Sequence, residues 1–210
     1  SRKLVVGGAS GTLHVFDAEK YRFVYSGPVK GFSHSSPIAD LSSTHEPNYA
    51  EHTLPSLCHF AAADESGVVS VWDATTLTPI ADMRAPGESF TSVCMRGGLV
   101  MAGTLLGKIC IFNVEEKRMQ AEICAHARAV SALALHPATM MIASASEDSY
   151  VNVWNLDNLD KKEIEAMSST SVKDKLLCGV RFCGEGGKDI ALCSYDIEAL
   201  IRLPGEAPVG

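Results

Sequence analysis

Four residues within positions 125–156 could carry acid–base or nucleophilic chemistry: His126, Ser144, Asp148 and Trp154. A serine, a histidine and a carboxylate are the residue types of a hydrolytic triad, in which the histidine activates the hydroxyl group as a nucleophile. The same groups can instead form a chain of structural hydrogen bonds, because the indole offers one N–H donor and a histidine can pass the bond on to a carboxylate. The chain has no G-x-S-x-G turn to expose a nucleophilic serine. We therefore favour the structural interpretation.

Three short apolar runs must position these residues: 130–135, 140–144 and 150–154. Each run has the length of a β-strand and ends at a turn signal, the first turn at 136–139 and the second at 147–149. The pattern predicts three consecutive antiparallel strands joined by tight turns.

The order and spacing of these residues closely resemble one repeat of the WD-repeat family. In that family a histidine before the first strand, a hydroxyl residue in the second, an aspartate in the tight turn and a tryptophan in the third form a hydrogen-bonded tetrad. The resemblance implies that His126, Ser144, Asp148 and Trp154 are a structural tetrad. A second, more specific resemblance to one branch of this family is strongest from about Cys124 onward, in the segments KLLCGVRFCGEGG and SYDIEALIR.

The same unit recurs along the chain, which predicts an all-β fold. We expect a single β-propeller domain of four-stranded antiparallel blades, here a partial set of about four to five blades. The first blade lacks its inner strand and the last lacks its outer strand. The blades are predicted at approximately 4–27, 37–85, 90–124, 126–170 and 175–205, and the third-strand positions that match Trp154 are Phe16, Trp72, Phe112 and Arg202.

The family resemblance also implies a closed ring, which most often has seven blades. We therefore expect an upstream segment of two to three further blades, in a longer chain or in another chain. Self-association is the alternative way to close the ring.

The tetrad is expected to be complete only once, because the corresponding positions of the other blades depart from it. The departures are Ala62 and Ser66 in the second blade, Ala102 and Leu106 in the third, and Arg202 beside Asp196 in the last. Apolar packing between sheets must then stabilise the other blades.

Composition narrows the possible functions. The net charge of −7 and the scattered basic pairs argue against a nucleic-acid face. There is no apolar run long enough to span a membrane. Seven cysteines, mostly in apolar runs, predict reduced, buried thiols. We expect a cytoplasmic protein, with the nucleus as an open alternative.

No metal or other cofactor is expected. His45, His52 and His59 recur every seven residues beside Cys58, but this spacing fits no standard zinc pattern.

The expected function is a non-catalytic scaffold that binds peptides or proteins. The resemblance implies that partners bind the face that carries the loops before the first strand and between the second and third strands. By register, that face contains Glu65, Glu88, Leu105, Arg128, Glu147, Lys175 and Tyr195. The alternative is an enzyme with a site in the central channel, but no paired carboxylates converge there in register.

Overall fold

In the part of the chain that the structure describes, short apolar runs bounded by turns form eighteen β-strands in five antiparallel sheets. The structure is a computed structural model that describes residues 3–27, 34, 36–44, 59–161, 163–195 and 197–205. Within those ranges the only helical elements are two single 3₁₀ turns, Leu159–Lys161 and Glu185–Gly187. The fold is therefore all-β, as the sequence predicted.

Each sheet is one propeller blade, and neighbouring strands follow one another in chain order. Blade 1 contains β1 (Lys3–Gly7), β2 (Leu13–Asp17) and β3 (Arg22–Gly27); blade 2 contains β4 (Ile38–Ser43), β5 (His59–Asp64), β6 (Val68–Asp73) and β7 (Pro79–Arg84). Blade 3 contains β8 (Phe90–Arg96), β9 (Leu99–Thr104), β10 (Lys108–Asn113) and β11 (Arg118–Cys124). Blade 4 contains β12 (Val130–Leu135), β13 (Met141–Ser146), β14 (Tyr150–Asn155) and β15 (Glu165–Ser171); blade 5 contains β16 (Leu177–Cys183), β17 (Asp189–Ser194) and β18 (Ile201–Leu203).

Apolar side chains fill the space between neighbouring blades. Between blades 2 and 3 the core includes Val69, Val71, Met83, Phe90 and Phe112, all buried. Comparable clusters lie between the other consecutive blades. Because both faces of the middle blades are covered, their strands are apolar almost throughout. Within the described residues the five sheets do not close into a ring.

The first strand of blades 2 to 5 carries the same irregularity, one extra residue that forms a β-bulge against the second strand. In blades 3 and 4 the bulged residues are Thr91 and Ser131. Their hydroxyl groups donate to the backbone carbonyls of Val130 and Leu177 in the next blade. The repeated bulge therefore aims side chains across the blade interface.

The register of β18 corrects one expected equivalence. Leu203 lies opposite Ile190, as Trp154 lies opposite Ile142 in blade 4. Leu203, and not Arg202, therefore occupies the tryptophan position. Because successive side chains of a strand point to opposite faces, the shift of one residue places Arg202 on the other face, where it pairs with Asp189.

The two end blades expose faces of different polarity. Leu4 and Val6 of β1 are exposed, whereas Ile142 and Ser144 at the matching positions of blade 4 are buried. Blade 1 thus presents apolar surface that the packing of inner blades would cover. The outward face of blade 5 instead carries the ion pair between Arg202 and Asp189.

The turn between the second and third strands requires a left-handed residue at a crowded position. Gly107 has a φ of 83°, and its carbonyl accepts the N–H groups of Ala125 and His126. A Cβ atom at Gly107 would overlap the carbonyl oxygens of His126 and Arg128.

We expect Gly107→Ala to lower the free energy of unfolding by at least about 1–2 kcal/mol, through left-handed strain and this overlap. The matched control is Gly97→Ala, because Gly97 has a φ of 56° but a Cβ atom added there would meet no atom within 4 Å. Urea unfolding of both variants measures the difference. Equal losses would show that crowding against the next blade contributes nothing.

Candidate functional site

The four side chains singled out by the sequence lie together in blade 4 and form the blade-4 network. Trp154 Nε1 donates to Ser144 Oγ over 3.1 Å, and Ser144 Oγ lies 2.8 Å from His126 Nε2. His126 Nδ1 lies 3.1 Å from a carboxylate oxygen of Asp148. Every donor has an acceptor if Trp154 donates to Ser144, Ser144 to His126, and His126 to Asp148.

The protonation states agree with this direction. Burial lowers the pKa of His126 despite the neighbouring carboxylate. Partial burial opposes ionisation of Asp148, but the backbone N–H groups of Ala127 and Tyr150 hold its pKa below the ordinary value. The neutral imidazole and the Ser144 hydroxyl are both buried, so no substrate can reach the serine. The geometry is that of a structural network.

A second network of the same kind lies in blade 2. His34 Nδ1 is 2.7 Å from Asp64 Oδ2, and His34 Nε2 is 2.6 Å from Ser70 Oγ. Trp72 Nε1 donates to the same hydroxyl oxygen over 2.8 Å. We call these four residues the blade-2 network. The expectation of a single complete network is therefore wrong.

The blade-2 network places its groups at different sequence positions from the blade-4 network. Its hydroxyl group belongs to Ser70 on β6, which faces Ala62 on β5; in blade 4 the hydroxyl belongs to Ser144 on β13, which faces Asn152 on β14. The serine has moved to the opposite member of the same cross-strand pair. Side chains of such a pair lie close together, so either strand can present the hydroxyl to the tryptophan.

The carboxylate has moved as well. The turn of blade 2 reads Asp64-Glu65-Ser66, whereas that of blade 4 reads Ser146-Glu147-Asp148. Asp64 Oδ1 accepts both the N–H and the hydroxyl of Ser66, while the Asp148 N–H donates to Ser146 Oγ. Aspartate and serine have exchanged places across the turn.

Two signals in the sequence could have revealed the blade-2 network. His34 precedes its first strand by four residues, as His126 does, and Ser70 precedes Trp72 by two. Aligning Ala62 with Ser144 and Ser66 with Asp148 leaves Ser70 and Asp64 out of consideration as the hydroxyl and carboxylate groups of blade 2.

The matching region of blade 3 is apolar. Ala102, Cys110 and Phe112 are buried there, and burial raises the pKa of Cys110 to about 12. In blade 5 the matching positions are Leu192, Ile201 and Leu203, while Asp196 lies outside the described residues.

The residues predicted for a partner-binding face lie on loops at one end of the sheets. Leu105 is 55% exposed and Tyr195 is 71% exposed, and Glu65, Arg128 and Glu147 are also exposed. Lys175 is half-buried. Glu88 differs, because its side chain is only 10% exposed and accepts a 2.9 Å hydrogen bond from Lys108 Nζ. Glu88 therefore contributes little to the open face.

Two further leucines extend this face: Leu106, which the sequence also predicts to be exposed in the turn with Leu105, and Leu176, which was not singled out from the sequence. Leu106 and Leu176 are exposed, and Leu176 lines a shallow groove between blades 4 and 5. The groove has a volume of about 580 Å³ and also contains Arg128, Glu147 and Asp174. We call Leu105, Leu106, Arg128, Glu147, Leu176 and Tyr195 the loop face.

Backbone hydrogen bonds connect the loops of this face. Glu147 N–H donates to Ala129, Val172 N–H to Ser149, and Tyr195 N–H to Leu176. The loops are thus fixed relative to the strands of their own blade.

Comparisons with known proteins match this architecture. The family model for WDR54 matches residues 1–205. The chain belongs to the WDR54 family. It is 31% identical over 209 residues to the rat WD repeat domain 54 and to the mouse WD repeat-containing protein 54, covering 95% of this chain and 60% of each relative. It is also 26% identical over 97 residues to pre-mRNA-processing factor 19 of Caenorhabditis elegans, covering 46% of this chain and 19% of that protein.

These matches confirm the more specific resemblance predicted from the sequence: the branch of the WD-repeat family that the segments after Cys124 resemble is the WDR54 family. The chain spans less than two thirds of the WDR54 relatives that it matches.

The inner strands of this WDR54-family chain border a cavity of about 390 Å³, where a channel site would lie. Among the described residues that line it, Asp40 is the single carboxylate, with Arg181 on another strand. Asp40 accepts the N–H groups of Leu41 and Val93 over 2.8 Å each, and burial raises its pKa. Its Oδ2 atom thus connects blade 2 to blade 3.

In the part of the chain that the structure describes, no group of three or more histidine, cysteine or acidic side chains could hold a metal ion. His45, His52 and Cys58 lie outside the described residues, and His59 begins β5. No helix in the described ranges is long and apolar enough to cross a membrane.

Proposed function

We propose that this chain is a non-catalytic scaffold that binds a peptide or protein through the loop face. The observation that carries the proposal is the exposure of Leu105, Leu106, Leu176 and Tyr195 on loops at the same end of blades 3 and 5. Large apolar side chains that remain exposed and grouped mark protein contact sites.

The charges of the loop face support a protein or peptide partner. Arg128, Glu147 and Asp174 line the groove, and none of their side chains has an ion-pair or hydrogen-bond partner among the described residues. Charges of both signs beside apolar side chains suit a polypeptide better than a polyanion.

The channel gives no comparable support to an enzyme. Both oxygens of Asp40 are engaged by backbone donors, and Ser144 is enclosed in the blade-4 network. A hydrolytic site needs an accessible nucleophile or a second catalytic group near the first.

The double variant Leu105→Glu/Arg128→Glu should reduce partner recovery at least about tenfold, because it removes an apolar contact and reverses a charge. Recovery is measured by affinity purification from cells that express the tagged chain at equal levels, with quantitative mass spectrometry. The control is Lys117→Glu, which changes an exposed residue on the β10–β11 turn at the opposite end of blade 3.

Equal recovery of all partners with both variants would refute the loop face. If the unchanged chain enriches no protein over an untagged control, the scaffold function itself is refuted.

A further inference from the structure

Two cysteines of blade 5 lie side by side on neighbouring strands. The Sγ atoms of Cys178 on β16 and Cys193 on β17 are 3.7 Å apart. Cys178 is the extra residue of the β-bulge, and Cys193 lies opposite the next residue, Gly179. A disulfide requires sulfur atoms about 2.0 Å apart, so a modest rotation of the side chains would bring them to bonding distance.

Gly179 provides the room for this approach. A Cβ atom at position 179 would overlap Cys193 Sγ, so the missing side chain lets the sulfur lean across the strands toward Cys178. The matching bulge residues of blades 3 and 4 are Thr91 and Ser131, which bond to the next blade. Among blades 2 to 5, only blade 5 combines a cysteine at the bulge with a cysteine on the second strand.

The pair is accessible to small reagents. Cys178 is exposed and Cys193 is half-buried. Ile190 and Leu192 pack against blade 4, so Cys193, which alternates with them along β17, lies on the face turned away from that blade. The expectation of buried cysteines holds for Cys94 and Cys110 but is wrong for Cys124 and Cys178, which are exposed.

We propose that Cys178 and Cys193 are a redox-active dithiol that a peroxide closes into an intrachain disulfide. The Cys178 thiolate attacks one peroxide oxygen and the O–O bond breaks, which gives a sulfenic acid and a hydroxide ion; the hydroxide takes up the proton that the thiol released and becomes water. The Cys193 sulfur then attacks the sulfenic sulfur and displaces a second water. The two thiols are oxidised and lose one hydrogen each, and one hydrogen peroxide is reduced to two waters.

The crosslink would join the bulge of β16 to β17. In blades 3 and 4 the matching bulge residue donates a hydrogen bond to the following blade. Oxidation therefore changes the chemistry of a position that faces outward from blade 5.

The rate should increase with pH. Burial and the adjacent Cys193 thiol raise the pKa of Cys178 above its ordinary value, so little thiolate is present at neutral pH. Because the thiolate is the attacking species, each step of pH toward that pKa should speed the reaction.

The test treats the purified full chain with stoichiometric hydrogen peroxide at pH 7 and pH 8.5, followed by thiol blocking and trypsin digestion. Trypsin separates the three cysteines of blade 5 into peptides 176–181, 182–188 and 189–202. We expect a linked pair of peptides 176–181 and 189–202, two hydrogens lighter than their sum, and faster formation at the higher pH.

Variants distinguish this dithiol from general oxidation. Cys178→Ser and Cys193→Ser should abolish the link, whereas Cys183→Ser should retain it. Gly179→Ala should slow it several-fold, since it pushes Cys193 away. Circular dichroism confirms that each variant is folded. Free Cys178 and Cys193 after treatment, their conversion to separate higher oxides, or a dominant link through Cys183 would each overturn the proposal.

Discussion

Replacing His34 with alanine should lower the free energy of unfolding by about 3–5 kcal/mol, because it leaves a buried carboxylate without its partner. The side chains of His34 and Asp64 are 2.7 Å apart and almost completely buried. Asp64 Oδ1 remains bonded to Ser66 and to the N–H group of Val68, but Oδ2 would lose the imidazole. Ser70 would lose its imidazole partner at the same time.

Urea unfolding, followed by the fluorescence of Trp72 and Trp154, measures this effect. His126→Ala should cost less, about 1–3 kcal/mol, because Asp148 is partly exposed and water can replace the lost bond. His14→Ala is the control, since among the described residues His14 bonds only to the hydroxyls of Thr12 and Ser26 on the half-exposed blade 1. A loss for His34→Ala no greater than for His14→Ala would show that the blade-2 network does not stabilise the fold.

If His34→Ala does not fold at all, Asp64→Asn tests the contribution of the blade-2 network to stability with a smaller perturbation. The amide keeps an oxygen for the turn N–H groups while it removes the buried charge. Its loss of stability should fall between those of His14→Ala and His34→Ala.

The sequence predicted the repeat and the blade-4 network because both depend on local spacing. Strand-length apolar runs and tight turns impose the sheets, and four residue types at the family spacing identified His126, Ser144, Asp148 and Trp154. Local patterns of this kind can be recognised in the sequence without knowledge of the tertiary structure.

The blade-2 network was missed because hydrogen bonding depends on positions in space. Ala62 and Ser70 face each other on neighbouring strands, as Ser144 and Asn152 do, and the serine of each pair accepts from the tryptophan of its blade although the two serines lie on different strands. An alignment of the repeats position by position does not detect a serine that has moved to the paired position on the neighbouring strand.

Two other differences between the sequence predictions and the structure also arise from contacts between segments that are distant in sequence. Arg202 was assigned to the wrong position because the sequence does not determine how β18 pairs with β17. The length of the segment that joins the two strands does not fix which residues lie opposite each other. Glu88 lies on a predicted loop, but Lys108 on β10 holds its side chain against the sheet. Both facts are properties of pairing between separate segments.

The exchange between blades makes a direct prediction for blade 4. Ser144→Ala should cost about 1–3 kcal/mol, since Trp154 and His126 both lose the hydroxyl. Adding Asn152→Ser should recover at least half of that loss, because residue 152 faces residue 144 as Ser70 faces Ala62. The hydroxyl would then be two residues from Trp154, the spacing that joins Ser70 to Trp72 over 2.8 Å.

A double-mutant cycle in urea separates this rescue from simple additivity. Asn152→Ser alone removes the 2.8 Å bond from Asn152 Nδ2 to the Ala125 carbonyl, so by itself it should destabilise the protein. The prediction therefore requires the effect of Asn152→Ser on stability to change sign. The substitution should destabilise the native chain but stabilise the Ser144→Ala variant. The matched control, Asn152→Ala with Ser144→Ala, lacks a hydroxyl and should recover nothing. Additive losses in both double variants would mean that the position of the serine is fixed in each blade and that the two networks are not interchangeable solutions.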